Sequence, residues 1–443
     1  MNLLRRTLLC LTLAAALHAC SSRDSTRADA PADSASDGWV GAWAAAPYGP
    51  FPLGPLSSVA PVDPLGSTAQ FDGEQAREQS FRMIVHPTLG GSTFRVRLSN
   101  LMGTQPVTFE PVRVALRAAG PAIMPGTDTP VLFAGQPGVI IAARAEAISD
   151  AVELPFAIGD DLAVSFHVVG SSGPMTWHAV SFGLHYVSMP DSGDVTSDLS
   201  GAGFGQGSVG WFFISGIDVH VPEASGAIVA IGDSITDGAY ETPETNTRWP
   251  DFFAQRLTAS GVAMGVLNQG INSNTVTRAG VLPGEEYKGP PADERFDRNV
   301  LGRSGVRAVL IFEGTNDLTA GVSGEDVLDA LRGLVNRAHA AGLCVVLGTI
   351  MPRDDLIFGW NRATMESERQ IINAGIRAAE GVEGIADFDA AMGNPLDPTR
   401  PNPAYYAPDL LHPTTLGLQI MADAVPLEAL VPPPVGTCSA PAR

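Results

Sequence analysis

Hydrophobic and polar positions alternate with two different periods in the two halves of the chain. From Trp39 to about Val221, apolar and polar residues alternate at a period of two between Gly, Pro and Ser turns, as in "FRVRLSN" (Phe94–Asn100) and "LAVSFHVV" (Leu162–Val169). Such alternation is typical of strands that bury one face, and frequent turn signals favour antiparallel pairing. We therefore predict an antiparallel β-sandwich or jelly roll over residues 39–222.

A second pattern begins after Pro222, where continuous apolar runs alternate with stretches of helical periodicity. The apolar runs are "AIVAIG" (227–232), "AMGVLN" (263–268), "VRAVLIF" (306–312) and "LCVVLGTI" (343–350). The helical stretches are "PDFFAQRLTAS" (250–260), "EDVLDALRGLVNRAHAAG" (325–342) and "MESERQIINAGIRAAE" (365–380). Repeated strand–helix units predict an α/β domain, a doubly wound parallel sheet covered by helices, over residues 223–432. Ligands bind such sheets at the carboxyl ends of the strands.

The first apolar run ends on Gly-Asp-Ser, within "AIVAIGDSITDGAY" (Ala227–Tyr240). One interpretation is a strand-ending turn, because Gly, Asp and Ser are common turn residues. The other is that Ser234 is a nucleophile at the carboxyl edge of the sheet. A serine hydroxyl needs a base to take its proton and donors to hold the oxyanion that forms. The second interpretation therefore requires both groups at other strand ends.

Two histidines, His339 and His412, follow Ser234 in the chain. His339 lies near the end of the second predicted helix, where a cation suits the helix dipole, and we predict a solvated helix-end residue. His412 lies in a loop three residues after Asp409, and a carboxylate so close can orient the imidazole and stabilise its charged form. The alternative is that Asp409 and His412 cap a helix that begins at Pro413.

Two further segments follow strands of the predicted sheet. "FEGTNDL" (Phe312–Leu318) comes directly after the third apolar run, and its Asn316 carries a side-chain amide donor. "LNQGINSNT" (Leu267–Thr275) follows the second run, and its small residues leave backbone N–H groups free to point into a site. Each segment alone is a weak signal, but all of them belong to the same edge of a parallel sheet.

Taken together, these segments resemble the motifs of the SGNH, or GDSL, hydrolase superfamily. In chain order they are Gly232-Asp233-Ser234, "NQGINSN" (268–274), Gly314-Thr315-Asn316-Asp317 and Asp409-Leu410-Leu411-His412. The resemblance implies a three-layer α/β/α, flavodoxin-like fold and a serine hydrolase that acts on ester bonds without a metal or organic cofactor. It implies that Ser234 is the nucleophile, His412 the base and Asp409 its orienting acid. It also implies oxyanion donors in the side-chain amide of Asn316 and the backbone N–H of Ser234.

One position departs from the family pattern. The second block of this family usually carries a glycine whose backbone N–H completes the oxyanion hole. Aligning Asn268 with the first asparagine of that block places Ser273 at this position, and the nearest glycine, Gly270, falls three residues early. Ser273 still has a backbone N–H, so we predict that it is the third donor. Whether its backbone takes a positive φ, which serine adopts at a cost, stays open.

The charge balance excludes one class of partner. The chain has 27 Lys and Arg residues against 47 Asp and Glu residues, and its formal net charge is −20. Binding to nucleic acid requires a basic face that neutralises phosphates, so a nucleic-acid partner is excluded. An acidic surface also disfavours adsorption to anionic membranes. The expected partner is a small-molecule or glycan ester.

The N-terminal residues are typical of an export signal. Arg5 and Arg6 precede an apolar run that is too short to span a bilayer. The run ends in "LHAC" (Leu17–Cys20), which resembles a bacterial lipobox whose cysteine receives a lipid. We predict a lipoprotein-type signal peptide over residues 1–20 and a flexible linker over residues 21–38, with ordinary signal cleavage and secretion as the alternative.

The expected contact of this protein with a membrane is a lipid attached to Cys20. Ser21, and not an aspartate, follows Cys20, which favours the outer membrane if the host has two membranes. Among the other cysteines, Cys344 and Cys438 permit a disulfide in an exported chain, and a buried free thiol at Cys344 is the open alternative. The cysteine spacing indicates no metal site. Residues 433–443 are a predicted C-terminal tail.

The leading hypothesis is an exported serine esterase. By resemblance, its substrates include O-acetylated glycans, short-chain or aryl esters, lysophospholipids and thioesters; export and the β-sandwich favour O-acetyl groups on carbohydrates. The alternative from another class is a non-catalytic, carbohydrate-binding surface lipoprotein. For the β-sandwich we predict packing first and substrate contact second, with Trp177 and His178 as core or turn residues.

Overall fold

A computed structural model of the protein describes residues 38–54, 67–222, 224, 226–355, 357–431 and 438. The predicted signal peptide, with Cys20, and the predicted linker up to residue 37 lie outside the described residues. Within the described ranges, no helix is both long and apolar enough to cross a membrane.

The predicted β-sandwich region consists of antiparallel strands. They are β1 (Trp39–Ala44), β2 (Gly49–Pro50), β3 (Gln75–Val85), β4 (Gly91–Ser99), β5 (Val107–Ala119), β6 (Ala122–Ile123), β7 (Thr129–Pro130), β8 (Val139–Ile141), β9 (Glu146–Ile148), β10 (Val152–Phe156), β11 (Leu162–Pro174), β12 (Thr176–His178), β13 (His185–Val187), β14 (Gln206–Ser208), β15 (Trp211–Phe212) and β16 (Ile214–His220). One sheet has the order β1-β16-β4-β10, a second has the order β14-β13-β3-β11-β5-β6, and β15-β12-β2 form a third. The prediction of an antiparallel β-rich domain is confirmed.

The period-two alternation of the sequence places one face of these strands in a shared core. In β10, the burial alternates residue by residue, with Val152, Leu154 and Phe156 buried and the residues between them exposed. Aromatic side chains fill the core and pack edge to face, as for Phe109 and Phe213, whose ring centroids are 5.2 Å apart. Aromatic pairs in this geometry stabilise a core beyond the area that they bury.

The second region alternates strands with helices. Its strands are β17 (Gly226–Gly232), β18 (Met264–Gly270), β19 (Val306–Phe312), β20 (Cys344–Gly348), β21 (Gly384–Ala386), β22 (Gly393–Asn394) and β23 (Asp397–Pro401). Its helices are α1 (Ser234–Asp237), α2 (Trp249–Ala259), α3 (Ala292–Phe296), α4 (Thr315–Thr319), α5 (Gly324–Ala340), α6 (Arg362–Arg377), α7 (Phe388–Met392), α8 (Thr415–Ala424) and α9 (Leu427–Leu430). The main sheet is parallel with the order β18-β17-β19-β20-β21, which is the flavodoxin-like order.

Helices cover both faces of this parallel sheet. Side chains that alternate along β17 pack against α2 and α8 on one face and contribute on the other to a core that includes α5 and α6. The predicted three-layer α/β/α architecture is therefore confirmed. The strand order reverses at β17, which pairs with β18 on one side and β19 on the other. Ligand sites of doubly wound sheets lie at such a switch point, and Ser234 follows β17 there.

The β-rich domain, defined here as residues 39–222, covers the free edge of β18. The Thr88 hydroxyl donates to the Val266 carbonyl (3.1 Å) and accepts from the Val266 N–H (2.8 Å). Two glycines allow the close approach, because a Cβ at Gly265 would lie 1.9 Å from the Gly41 carbonyl oxygen. Covering an edge strand removes a site of edge-to-edge aggregation. The described residues of both predicted domains belong to one compact unit.

The two cysteines whose pairing was open form a disulfide. Cys344 lies in β20 and is joined to Cys438, with a Cα–Cα distance of 4.8 Å. Cys438 belongs to the predicted C-terminal tail, and the bond fastens this residue to the central sheet.

Candidate active site

The strand-to-helix turn after β17 presents Ser234 at the carboxyl edge of the sheet. Ser234 is the first residue of α1, and the Asp233 side chain caps this helix by accepting from the Ile235 N–H (2.9 Å). A Cβ at Gly232 would lie 2.1 Å from the Thr236 hydroxyl, so only glycine allows the helix to turn back so tightly. In this turn, Gly232 thus allows the close approach, Asp233 caps the helix and Ser234 begins it.

Ser234, His412 and Asp409 form a continuous chain of hydrogen bonds. The Ser234 Oγ lies 3.0 Å from His412 Nε2, and His412 Nδ1 lies 2.6 Å from Asp409 Oδ2. All three side chains are buried. A carboxylate on one ring nitrogen fixes the tautomer that leaves the other nitrogen able to accept the serine proton.

The loop that carries Asp409 is shaped around its carboxylate. Leu410 takes a left-handed backbone conformation (φ 57°), and Asp409 Oδ1 accepts from the N–H groups of Leu411 (3.1 Å) and His412 (3.0 Å). Burial opposes ionisation of Asp409, but the hydrogen bonds and charge of His412 outweigh it and lower the carboxyl pKa.

The following helix begins at Thr415 and is capped by Thr414. The alternative that Asp409 and His412 cap a helix beginning at Pro413 is therefore wrong.

Three predicted oxyanion donors follow three adjacent strands. Ser273 comes after β18, Ser234 after β17 and Asn316 after β19, so parallel pairing brings them to one edge. Ser273 takes φ 65°, which answers the open question about its backbone. Among the described residues, neither Ser234 nor Ser273 has a protein acceptor for its backbone N–H. The Asn316 Nδ2 donates to the carbonyl of Asn274 (2.8 Å), which ties this amide to the loop of Ser273.

The sequence model of the GDSL-like lipase/acylhydrolase family matches residues 230–420. The C-terminal domain belongs to the SGNH, or GDSL, hydrolase superfamily. It is thus an ester-bond hydrolase, and residues 223–432 are called the SGNH hydrolase domain below.

Three of the solved structures with similarity to this domain each cover 45% of this chain. A GDSL-like lipase from Bacteroides thetaiotaomicron is 20% identical, with 85% of its own chain covered and a TM-score of 0.35. A lipolytic G-D-S-L family member from Veillonella parvula is 18% identical, with 94% covered and a TM-score of 0.33. An acetylxylan esterase from Geobacillus stearothermophilus is 21% identical, with 92% covered and a TM-score of 0.34. No curated protein matches the chain.

A buried arginine that the sequence analysis missed joins the loops of the SGNH hydrolase domain. Arg295 donates to the carbonyls of Gly232 (3.1 Å) and Gln269 (2.6 Å) and to the side chain of Asn274 (3.0 Å). Its charge is paired with the buried Glu313 at 3.4 Å. Arg295 therefore links the strand end before the serine to the loop that carries a candidate oxyanion donor. No local motif marks it, because each partner lies in another element.

The last residue of the Gly314-Thr315-Asn316-Asp317 segment has a structural role. Asp317 accepts from the N–H groups of Val276 (2.8 Å) and Thr277 (3.1 Å) and from the Thr277 hydroxyl (2.9 Å). Burial raises its pKa, and these hydrogen bonds partly offset that effect. Asp317 thus holds the chain that follows the Ser273 loop, and Asn316 stays the candidate amide donor of this segment.

His339 differs from its prediction. It lies in α5 but is buried, and its Nε2 is 3.3 Å from Glu383 Oε2. The same carboxylate accepts from the N–H of Val345 near the amino end of β20. His339 therefore lies toward the edge of the sheet opposite Ser234. The prediction of a solvated residue was wrong, because Glu383 is distant in sequence and pairs with His339 only in the fold.

Proposed function

We propose that this protein is an exported serine esterase that forms an acyl-enzyme on Ser234. The observation that supports it best is the unbroken hydrogen-bond chain from Ser234 through His412 to Asp409. Within the part of the chain that the structure describes, the backbone N–H groups of Ser234 and Ser273 have no protein acceptor, and both residues follow strands at the same sheet edge. A non-catalytic binding protein would have no need to hold a buried serine against a histidine in this geometry.

In the proposed reaction, Ser234 Oγ attacks the ester carbonyl carbon while His412 Nε2 takes the hydroxyl proton. Asp409 holds the imidazole and stabilises the charge that develops on it. Donors from Ser234, Ser273 and Asn316 stabilise the oxyanion. His412 then gives its proton to the leaving alcohol, which departs and leaves an acyl-serine. A water molecule, deprotonated by His412, attacks this ester, and the carboxylic acid leaves as Ser234 regains its proton.

We propose short acyl groups, foremost O-acetyl groups on carbohydrates, as the substrates. Ser234 is only 5% exposed, and a nearly enclosed nucleophile favours a small acyl group over a long chain. The rings of Tyr240 and Phe358 lie against His412, with centroids 5.2 and 5.8 Å from that of the imidazole, and narrow the approach to it. The net charge of −20 disfavours anionic lipid surfaces, and a neutral glycan ester meets no such repulsion.

The experiment that tests this proposal compares p-nitrophenyl esters of increasing chain length, from acetate to octanoate, with acetylated oligosaccharides. We expect kcat/KM to be highest for acetate and for the acetylated glycan, and hydrolysis to be lost in Ser234→Ala. Ser260→Ala, at an exposed position after α2, is the matched control and should behave as wild type. Equal hydrolysis by Ser234→Ala would overturn the mechanism, and a preference for octanoate would overturn the substrate class.

We also propose that Cys20 carries a lipid that anchors the protein in the cell envelope. The signal-like residues 1–20 and the polar residues 21–38 support this proposal. Cys20→Ser should move the protein from the membrane fraction to the soluble fraction, whereas Cys10→Ser, within the apolar run, should leave it in the membrane fraction. Wild-type protein that is entirely soluble outside the cell would contradict the anchor and favour ordinary secretion.

A further inference from the structure

Asp237, the last residue of the nucleophile helix α1 (Ser234–Asp237), is held by two side chains of the β-rich domain. The Tyr48 hydroxyl donates to Asp237 Oδ2 at 2.7 Å, and His178 Nε2 lies 2.9 Å from Asp237 Oδ1. The rings of Tyr48 and His178 pack edge to face at 4.9 Å, and all three residues are buried. His178, predicted as a core or turn residue, is therefore buried with a specific polar partner in the SGNH hydrolase domain.

The same carboxylate also holds the loop of a candidate oxyanion donor. The backbone N–H of Asn272 donates to Asp237 Oδ2 (3.1 Å) and contacts the Tyr48 hydroxyl. Ser273 follows directly, and its hydroxyl donates to the Asn272 side chain (3.1 Å). Burial and the charge of Asp237 raise the pKa of Tyr48 well above its ordinary range. The Tyr48 hydroxyl therefore keeps its proton for Asp237 and offers its oxygen to Asn272.

The backbone of Ser273 explains why such an anchor matters. A non-glycine residue at φ 65° is held in a sparsely populated backbone conformation that persists only when its surroundings impose it. The direction of the Ser273 N–H depends on the peptide that joins it to Asn272. Hydrogen bonds that hold the N–H of Asn272 fix the peptide group before Asn272. They therefore restrict the orientation of the next peptide group, which carries the Ser273 N–H.

We propose that Tyr48 of the β-rich domain is a positioning residue for the oxyanion hole of the SGNH hydrolase domain. Together with Asp237, it holds Asn272 so that the Ser273 N–H points toward the oxyanion. This inference rests on the proposed function, because it assigns the β-rich domain a part in stabilising the transition state of that reaction. It also gives a physical reason why the two domains share one interface beside the nucleophile helix.

The contact between Thr88 and Val266 provides a matched control. It also joins the β-rich domain to β18 through one hydroxyl, but its partner lies within the strand and not in the Ser273 loop. Tyr48→Phe and Thr88→Val each remove one interdomain hydroxyl with little change in shape. A merely structural role for Tyr48 predicts the same result for both variants.

The test measures p-nitrophenyl acetate hydrolysis by the full chain, together with the thermal midpoint of each variant. We expect Tyr48→Phe to lower kcat by about 10- to 100-fold, less than the roughly 10²–10³-fold loss of a whole donor, with KM little changed. Thr88→Val should keep the wild-type kcat even where its midpoint falls. If Tyr48→Phe does not fold, Asp237→Asn, which keeps the shape and one oxygen acceptor, replaces it with the same expected loss of kcat.

A double-mutant comparison identifies the group through which Tyr48 acts. In Ser273→Pro, which lacks the backbone donor, adding Tyr48→Phe should lower kcat no further, whereas in Asn316→Ala the two losses should multiply. Equal kcat values for Tyr48→Phe and Thr88→Val would overturn the inference. So would a Tyr48→Phe substitution that lowers kcat as much in the Ser273→Pro background as in the wild type. A wild-type chain without ester hydrolysis would overturn the proposed function itself, so the two failures are distinguishable.

Discussion

The phenol ring of Tyr240 stacks on the imidazole of His412, with ring centroids 5.2 Å apart and 22° between the ring planes. Burial raises the pKa of Tyr240, and the charge of Asp409 and a side-chain hydrogen bond to it raise the pKa further. Tyr240 takes a left-handed backbone conformation, φ 70°, to reach this position. One side chain thus contacts both the candidate base and its orienting acid.

The hydroxyl of Tyr240 is expected to tune the pH dependence of activity. Tyr240→Phe keeps the ring but removes a hydrogen bond from Asp409, so the carboxylate stabilises the charged imidazole more strongly. We expect the rising limb of the kcat/KM pH profile to move to higher pH. Tyr186→Phe, in β13 of the β-rich domain, is the matched control. A Tyr240→Phe profile that overlies the wild type would contradict this role.

The candidate triad predicts an ordered series of losses in kcat. Ser234→Ala and His412→Ala should be nearly equal, at about 10⁶-fold, because members of a triad act as one unit. Asp409→Ala should be intermediate, at about 10⁴-fold, since a misoriented imidazole still accepts a proton part of the time. His339→Ala should keep the wild-type kcat and lose only thermal stability, because it breaks the buried pair with Glu383. A dead His339→Ala beside an active His412→Ala would reverse the assignment of the base.

Substitutions at the oxyanion donors should separate side-chain from backbone contributions. Asn316→Ala should lower kcat by about 10²–10³-fold, whereas Asn336→Ala on the exposed face of α5 should not. Ser273→Gly should be tolerated, because glycine keeps the N–H and adopts φ 65° freely. Ser273→Pro should be crippling, since proline lacks the donor and fixes φ near −65°. Steady-state kinetics on p-nitrophenyl acetate measure all four, and a normal kcat in Ser273→Pro would remove this residue from the mechanism.

The disulfide should stabilise the fold without affecting catalysis. Cys344 and Cys438 are 94 residues apart in sequence, and closing such a loop restricts the unfolded chain. Cys438→Ala should lower the free energy of unfolding by about 2–4 kcal/mol, as measured by denaturant titration. Dithiothreitol should lower the stability of the wild type by a similar amount and leave Cys438→Ala unchanged. A variant as stable as the wild type would show that the bond contributes nothing.

Much of the fold was predictable from apolar patterning alone, because period-two alternation, continuous apolar runs and the helical period of 3.6 are all properties of neighbouring residues. The runs that became β17, β18, β19 and β20 were recognised in this way, as were α2, α5 and α6. The strand β21 was missed, because three residues, Gly384–Ala386, are too few to show a period. The disulfide stayed open in the sequence, because cysteine spacing does not give Cα distances.

The short motifs around Ser234, Asn316 and His412 determined which residues to consider, but only the tertiary structure decided how they meet. Ser234 and His412 are 178 residues apart in sequence and lie at hydrogen-bond distance in the fold. The hydrogen bond between Tyr48 and Asp237, across 189 residues, left no local trace at all. Local propensity depends on adjacent side chains, whereas such pairs are selected by the packing of whole domains. The left-handed backbone of Ser273 is likewise decided by the tertiary structure. Serine alone does not favour this conformation, and the neighbours of Ser273 in space impose it.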